Sequence, residues 1–360
     1  MTIGVPKEIK DKEARVALTP AGAHALAARG HRVLIEQRAG TGSGYPDADY
    51  ESAGATIAPD AAAVFGEADL IVKVKEPQLG ECAQFKPNQI LFTYLHLASY
   101  PEGAQALQKS GVTALAYETV QAGRRLPLLE PMSEIAGRMA TLVAAQLLAH
   151  PAGGNGRLLC GVPGAPAGRV LVVGGGAGGF NAARIAADMG ASVTIFELDP
   201  ERMRLIDLAS GGRIRTEHST ETALAAALPQ ADVVIGAVLL PGARAPRVLR
   251  RDLLARMQPG SVFVDLAIDQ GGCSDTSRPT SHSQPTYVEA GVVHYCVTNM
   301  PGAFPRTATL ALTGATLRYI EAIADLGVDG SAKRLPELAG GLNIRDGAIV
   351  HPSVAAALKR

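Results

Sequence analysis

What this chain lacks narrows its class before any motif is read. Neither sign of charge prevails: 34 Lys and Arg stand against 34 Asp and Glu. No electrostatic footprint therefore points to nucleic acid or to an anionic membrane, and the partners expected are small molecules. Cysteine is scarce and scattered. Cys82, Cys160, Cys273 and Cys296 form no C-x-x-C pair and stand near no histidine pair at metal-ligand spacing. That usage suits a reducing compartment, argues against structural zinc and predicts four core thiols; no metal is expected. No apolar run approaches the ~20 uncharged residues a membrane span needs. The opening MTIGVPKEIK carries no apolar signal segment, so a cytoplasmic location is expected. No internal repeat of short period is present. What remains is ample for two globular domains, since 47% of the 360 residues are hydrophobic.

The most informative segment runs from Val170 to Asp199, VLVVGGGAGGFNAARIAADMGASVTIFELD. A short β-branched run, Val170 to Val173, leads directly into Gly174, Gly176 and Gly179 at G-x-G-x-x-G spacing. The first glycine permits a tight turn, the second lets the backbone approach a pyrophosphate, and the third lets the next helix pack closely on the sheet. Ala182, Ile185, Ala186 and Met189 recur at helical spacing as one expected buried stripe, and Gly190 stands at the C-cap position. In a chain with 40 glycines the triplet alone is weak, and the acid that follows carries the argument. A second strand, Ser192 to Phe196, ends on Glu197, at about the 20-residue spacing where a carboxylate meets the ribose 2′-hydroxyl of NAD. A 2′-phosphate there would be a like-charge contact, so NAD is favoured over NADP, with Arg202 and Arg204 as the nearby cations that weigh the other way.

Upstream, strands are expected near Ile3–Val5, Val33–Glu36, Leu70–Val74, Ile90–Tyr94 and Thr113–Ala116, alternating with helices. One helix opens at Thr19-Pro20, an N-cap followed by proline at the first helical position, and closes at Gly30. Long helical patterns at Ser133–His150 and Thr307–Leu326 flank the nucleotide unit. Pro151–Gly156 and Asp275–Pro285 are expected loops, Arg345-Asp346-Gly347 a hairpin turn, and Pro352–Leu358 a final helix. The expectation is an α/β chain of two doubly wound Rossmann-like domains with a cleft between them, linked by long helices. Residues 1–128 and 305–360 would form a discontinuous substrate domain and 129–304 an NAD-binding domain.

In an open parallel sheet ligands gather beyond the carboxyl ends of the strands, so residues just past each strand carry functional weight. Lys75 and His96 follow two consecutive strands. An ammonium can hold a carboxylate or polarise a carbonyl, and an imidazole can move a proton near neutral pH. Arg15, in the loop KDKEAR, has the planar fork suited to a carboxylate. In VFVDLAIDQGG the strand end carries Asp265, and Asp269 follows in a glycine-flanked loop as the candidate acid-base carboxylate. His24, His31, His150, His218, His282, His294 and His351 have no partner at metal-ligand spacing and are expected in core or surface roles.

Across nearly its whole length the chain resembles the alanine dehydrogenase and transhydrogenase α-subunit family. The matching segments are GVPKEIKDKEARVALTP, LIVKVKEP, ILFTYLHLA, AYETV, PMSEIAGR, VGGGAGGFNAA, VIGAVLLPGARAP, DLAIDQGG and VTNMPGAFPRT. Gly175 and Gly178 add glycines to the turn, and a looser turn is expected. The resemblance implies an oxidoreductase catalysing reversible NAD-dependent oxidative deamination of L-alanine to pyruvate and ammonia, in a homo-oligomer that the family resemblance makes a hexamer. It implies that Arg15 and Lys75 bind the substrate carboxylate and carbonyl and that His96 and Asp269 form the acid-base pair. Ser133, Glu197, Val238, Leu239, Asp269, Asn299 and Met300 would line the nucleotide, joined by Gly174, Gly176, Gly178 and Gly179 of the turn. Two other readings stay open at this point. One is a transhydrogenase-type NAD(H)-binding subunit without an amino-acid substrate. The other is a related amino-acid dehydrogenase for a different 2-oxoacid, for which Arg124, Arg125 and Arg306 are candidate extra carboxylate ligands.

Overall fold

The computed structural model describes residues 1–240 and 244–359, so the Pro-Gly-Ala stretch at 241–243 inside the VIGAVLLPGARAP motif lies outside the described residues. Two compact units emerge, Met1–Met132 with the segment from Pro301 on, and Ser133–Leu240 with Arg244–Met300. Both are Rossmann-like. The first holds β1 (Thr2–Val5), β2 (Arg32–Glu36), β3 (Thr56–Ala58), β4 (Leu70–Val72), β5 (Ile90–Thr93) and β6 (Thr113–Ala116). The second holds β7 (Arg169–Val173), β8 (Ser192–Glu197), β9 (Ile214–His218), β10 (Val233–Gly236), β11 (Val262–Asp265), β12 (Thr286–Glu289) and β13 (Val292–Tyr295). The late strands β14 (Leu342–Arg345) and β15 (Ala348–Ile349) return to the first sheet.

The first sheet runs β15-β14-β6-β5-β4-β1-β2-β3 and the second β12-β13-β11-β10-β7-β8-β9. Both reverse strand order beside their first strand, at β1/β4 and at β7/β10, and a doubly wound sheet opens its ligand crevice at such a switch point. All pairings are parallel except β14 with its two neighbours and β12 with β13.

Parallel strands buried on both faces read as continuous apolar runs, and the second sheet divides them by the two-residue period. Val170, Val172, Val193, Ile195, Val233, Ile235, Val262 and Val264 face one core. Leu171, Val173, Phe196, Val234 and Phe263 face the other. On the first core lies the helix Ala177–Asp188, which buries Gly179, Ala182, Ala183 and Ala186. The buried stripe is thus one residue displaced from the expected one: Ala183 replaces Ile185, because small side chains bring this helix closest to the sheet.

The long helices begin earlier than their patterns suggest, at Glu130–Leu147 and Pro305–Arg334. The second is broken at Gly327, whose φ of 67° no helix accommodates. Thr19 caps the helix Pro20–Ala28 by accepting from Gly22 N, and Asp346 and Gly347 turn the β14–β15 hairpin with positive φ at both residues. Three cysteines are buried as expected, but Cys160, in the irregular segment before β7, is exposed. Among the described residues no helix is long and apolar enough to cross a membrane.

Candidate active site

In the first unit the exits of β4, β5 and β6 bring Lys75, His96 and Glu118 to one edge of the sheet. Lys75 is buried and pairs through Nζ with Glu76 Oε2 at 3.4 Å, while Lys10 Nζ reaches Glu76 Oε1 at 2.5 Å. Burial works to raise the Glu76 carboxyl, yet Lys75, His96 and Lys10 outweigh it and hold Glu76 well below the usual carboxylate range.

His96 adopts a left-handed backbone, φ 49° and ψ 34°, which costs energy for a residue with a Cβ. Glu118 supports that conformation: its Oε1 accepts from His96 N at 2.6 Å, and both its oxygens accept from Leu95 N at 3.2 Å. His96 Nδ1 is buried without a hydrogen-bond partner and lies 4.0 Å from Glu118 Oε1. The ring stacks on Tyr94 with centroids 5.8 Å apart and planes 8° from parallel. Tyr94 in turn donates to Leu128 O at 2.5 Å.

Arg15 is no surface cation, for only 2% of it is exposed. Glu13 grips its guanidinium from Nε at 2.8 Å and from Nη2 at 2.5 Å, while Nη1 points at Met132 Sδ, 3.1 Å away. Burial works against the charge and Glu13 outweighs it, so Arg15 stays a cation.

In the second unit the glycine turn follows β7. Gly174 has φ 99°, and a Cβ there would stand 2.7 Å from Ala237 O on the β10 exit; one on Gly179 would meet Gly174 O at 1.9 Å. The turn is tight rather than loosened by its extra glycines. Gly175 N donates to Glu197 Oε2 at 2.7 Å, and a Cβ on Gly175 would meet Ile206 Cδ1 at 2.7 Å. Gly178 faces Ser133, whose Cβ would lie 3.9 Å from an added one. Glu197 Oε1 accepts from Leu198 N at 2.7 Å and from Asp199 N at 3.1 Å, so three amides aim the carboxylate beside the turn. Gly176 begins the helix Ala177–Asp188 with no side-chain cap, and a Cβ on it would meet nothing within 4 Å. Gly176 therefore stands open at the positive end of a helix.

Val238 and Leu239 follow β10, half-buried and exposed respectively. Asp269 follows β11 in a one-turn helix, Ile268–Gln270, and its Oδ2 accepts from Asn299 N at 3.2 Å. Asn299, with φ 67°, and Met300 follow β13, and both are buried. Asp265 clasps the Asp269 loop from below: it accepts from Ala267 N and Cys273 N at 2.9 Å and from Ser277 Oγ at 2.5 Å. Burial raises the Asp265 carboxyl against these donors.

Arg15, Lys75 and His96 thus gather in the first unit, and the turn, Ser133, Glu197, Val238, Leu239, Asp269, Asn299 and Met300 occupy the second. The candidate extra arginines are surface groups: Arg125 pairs with Glu130, and Arg124 and Arg306 are exposed. Sequence reasoning missed Glu13, Glu76 and Glu118. The strand-exit rule, applied to β6 as it was to β4 and β5, finds Glu118.

The comparisons agree along the whole chain. Alanine dehydrogenase/PNT, N-terminal domain, matches residues 4–136, and Alanine dehydrogenase/PNT, C-terminal domain, matches 140–352. Alanine dehydrogenase of Halomonas elongata is 51% identical over 358 residues, 99% of this chain and 96% of that protein. A solved L-alanine dehydrogenase superposes with TM-score 0.91 at 46% identity, covering 100% of this chain and 99% of that one. A transhydrogenase from Sinorhizobium meliloti gives 0.80 at 25% identity, covering 98% and 100%. The chain belongs to the alanine dehydrogenase/PNT family.

Proposed function

We propose that this protein is an NAD-dependent oxidoreductase that converts L-alanine reversibly to pyruvate and ammonia. The observation that carries the reading is the pair of buried cations, Arg15 and Lys75, beside the strained His96 at the strand exits of one Rossmann-like unit. A subunit that only exchanged hydride between nucleotides has no use for that group, and identity to the alanine dehydrogenases is about twice that to the transhydrogenase. The second unit fits a nicotinamide dinucleotide through its uncapped helix amides, the open face of Gly176 and the Glu197 carboxylate. NAD is the form assigned, because Glu197 would repel a 2′-phosphate.

The chain's own groups bind, orient and move protons. Arg15, held in place by Glu13, takes the substrate carboxylate, and Lys75 polarises the carbonyl, each by charge and position. A bound nicotinamide dinucleotide supplies the hydride acceptor. Hydride leaves Cα of alanine, water adds to the resulting imine, and the carbinolamine collapses to pyruvate and ammonia. His96, whose Nδ1 faces Glu118, exchanges protons with the reacting groups through Nε2, and Asp269 is its acid-base partner. Residues 1–128 and 305–360 serve as the substrate domain and 129–304 as the NAD domain. A cytoplasmic homo-oligomer, a hexamer by family resemblance, completes the reading.

The experiment is ammonium-dependent NADH oxidation with pyruvate, beside 2-oxoglutarate and glyoxylate. Turnover with pyruvate, lowered by at least ~100-fold in His96→Ala and Asp269→Ala while NADH still binds, is the expected result. A pocket for one methyl separates 2-oxobutyrate by only ~1–3 kcal/mol, so weak activity with it is consistent. NADH binding without turnover of any oxoacid would move the assignment to the transhydrogenase-type subunit.

A further inference from the structure

The first unit buries three charged side chains that the mechanism above leaves unused. Lys73 is fully buried, with Nζ 3.1 Å from Glu8 Oε2 and 2.7 Å from Glu81 Oε1, and both carboxylates are themselves buried. A buried ion bridge contributes little net stability, because desolvation offsets the attraction, so its value has to be sought in the geometry it fixes.

That geometry lies at the switch point of the first sheet. The β1–β4 ladder ends at Gly4 and Ile71. Past that end, Glu8 takes over from the ladder: its Oε1 accepts from Val74 N at 2.6 Å and from Lys75 N at 3.3 Å. On the other side Thr93 Oγ1 donates to Lys75 O at 3.1 Å. The Lys75 main chain is therefore gripped at both its amide and its carbonyl. Glu81, the third member, accepts from Gln78 N through Oε2 at 2.8 Å and so closes the segment from Lys73 to Glu81 on itself.

We propose that Lys73 and Glu8 are positioning residues for the substrate, their buried bridge to Glu81 clamping the Lys75 main chain so that its ammonium is presented to the 2-oxoacid. The inference rests on the assignment of Lys75 as a substrate ligand. Lys73 is needed because it neutralises two buried carboxylates that would otherwise repel each other. Without it Glu8 takes up a proton, a tendency its burial already favours. A neutral carboxyl then replaces the charge-assisted acceptor of the two amides.

The test uses the full-length enzyme, with Lys73→Met and Glu8→Gln compared against Lys75→Ala. The expected result is a KM for pyruvate raised about tenfold or more in both variants, with NADH affinity kept and kcat changed less. A bridge that merely held the fold together would lower the yield of active enzyme and leave KM alone, and that outcome overturns the proposal. Should neither variant fold, amide exchange in the unmodified protein decides. Slow exchange at Val74 and Lys75, beyond the end of β4, upholds the clamp, and exchange at surface-loop rates overturns it. If Lys75→Ala itself leaves KM for pyruvate unchanged, the substrate role of Lys75 falls and takes this proposal with it. A change in Lys75→Ala without one in the two bridge variants removes the clamp alone.

Discussion

Glu197 shows how one carboxylate can be legible in sequence while its neighbours are not. It ends β8 at the expected distance from the glycine turn, and three main-chain amides fix its oxygens. Arg202, the cation that weighs towards a 2′-phosphate, is turned to Gly175 O at 3.4 Å. Glu197→Ala should therefore weaken NAD more than NADP. A charge-assisted hydrogen bond contributes ~1.5–3 kcal/mol, so the NADH-to-NADPH ratio of kcat/KM should fall by roughly tenfold or more. An unchanged ratio sinks the assignment. Lys75, His96, Asp269 and Glu197 were readable because each ends or follows a strand, and strand ends can be found from apolar runs. Glu13 and Glu76 were not, because an acid near a base in sequence is usually a solvated surface pair. Only the fold reveals that Glu13 is buried against Arg15 and that Glu76 pairs with both Lys10 and Lys75.

Among elements, β1, β2, β4 to β8 and β11 were legible as apolar runs, while β3, β9, β10, β12 and β13 went unread. β9 and β12 are edge strands with polar sequences, IRTEH and TYVE, and edges need no apolar signature. The helix after the glycine turn was legible in position and largely in facing, with Ala182 and Ala186 buried as expected and Ala183 in place of Ile185. Its close seat on the sheet makes a sharp prediction. Gly179→Ala would push a methyl into Gly174 O, 1.9 Å away, so the helix must shift. Loss of ~3 kcal/mol of stability and of nucleotide binding is expected. Gly176→Ala, with nothing within 4 Å, should fold with a loss within ~1 kcal/mol yet bind nucleotide less well, because the methyl occupies the backbone's approach to the pyrophosphate. Thermal unfolding and NADH titration of the two variants separate these effects. Equal unfolding midpoints would contradict the close packing.

At the scale of the whole molecule, the doubly wound plan was readable from strand and helix alternation, while the return of β14 and β15 to the first sheet was readable only as a hairpin of unknown address. The late segment joins β6 by antiparallel pairing, which no local pattern specifies. The same scale governs the response to acid. Glu76 has its pKa depressed in the folded state, so its contribution is complete above its unfolded value of 4.5 and is drawn down as pH falls below it. Asp325, held to about 2 against 3.8 by hydrogen bonds from Arg29 and His31, acts the same way lower down, and screening at that exposed site keeps its share small. Glu8 and Asp265 have the opposite sign: raised by burial, they favour the folded state more as pH falls and partly offset the loss. The unfolding midpoint should hold steady through neutral pH and drop below about 4.5, the point set by Glu76. Glu76→Gln should lower the midpoint at pH 7, since breaking a buried pair costs ~3 kcal/mol or more, and flatten the slope below 4.5, the unfolded value. Curves for the two proteins that run parallel through that window would mean that the Lys75–Glu76–Lys10 cluster carries no acid linkage, and that the cations at the β4 exit are balanced elsewhere.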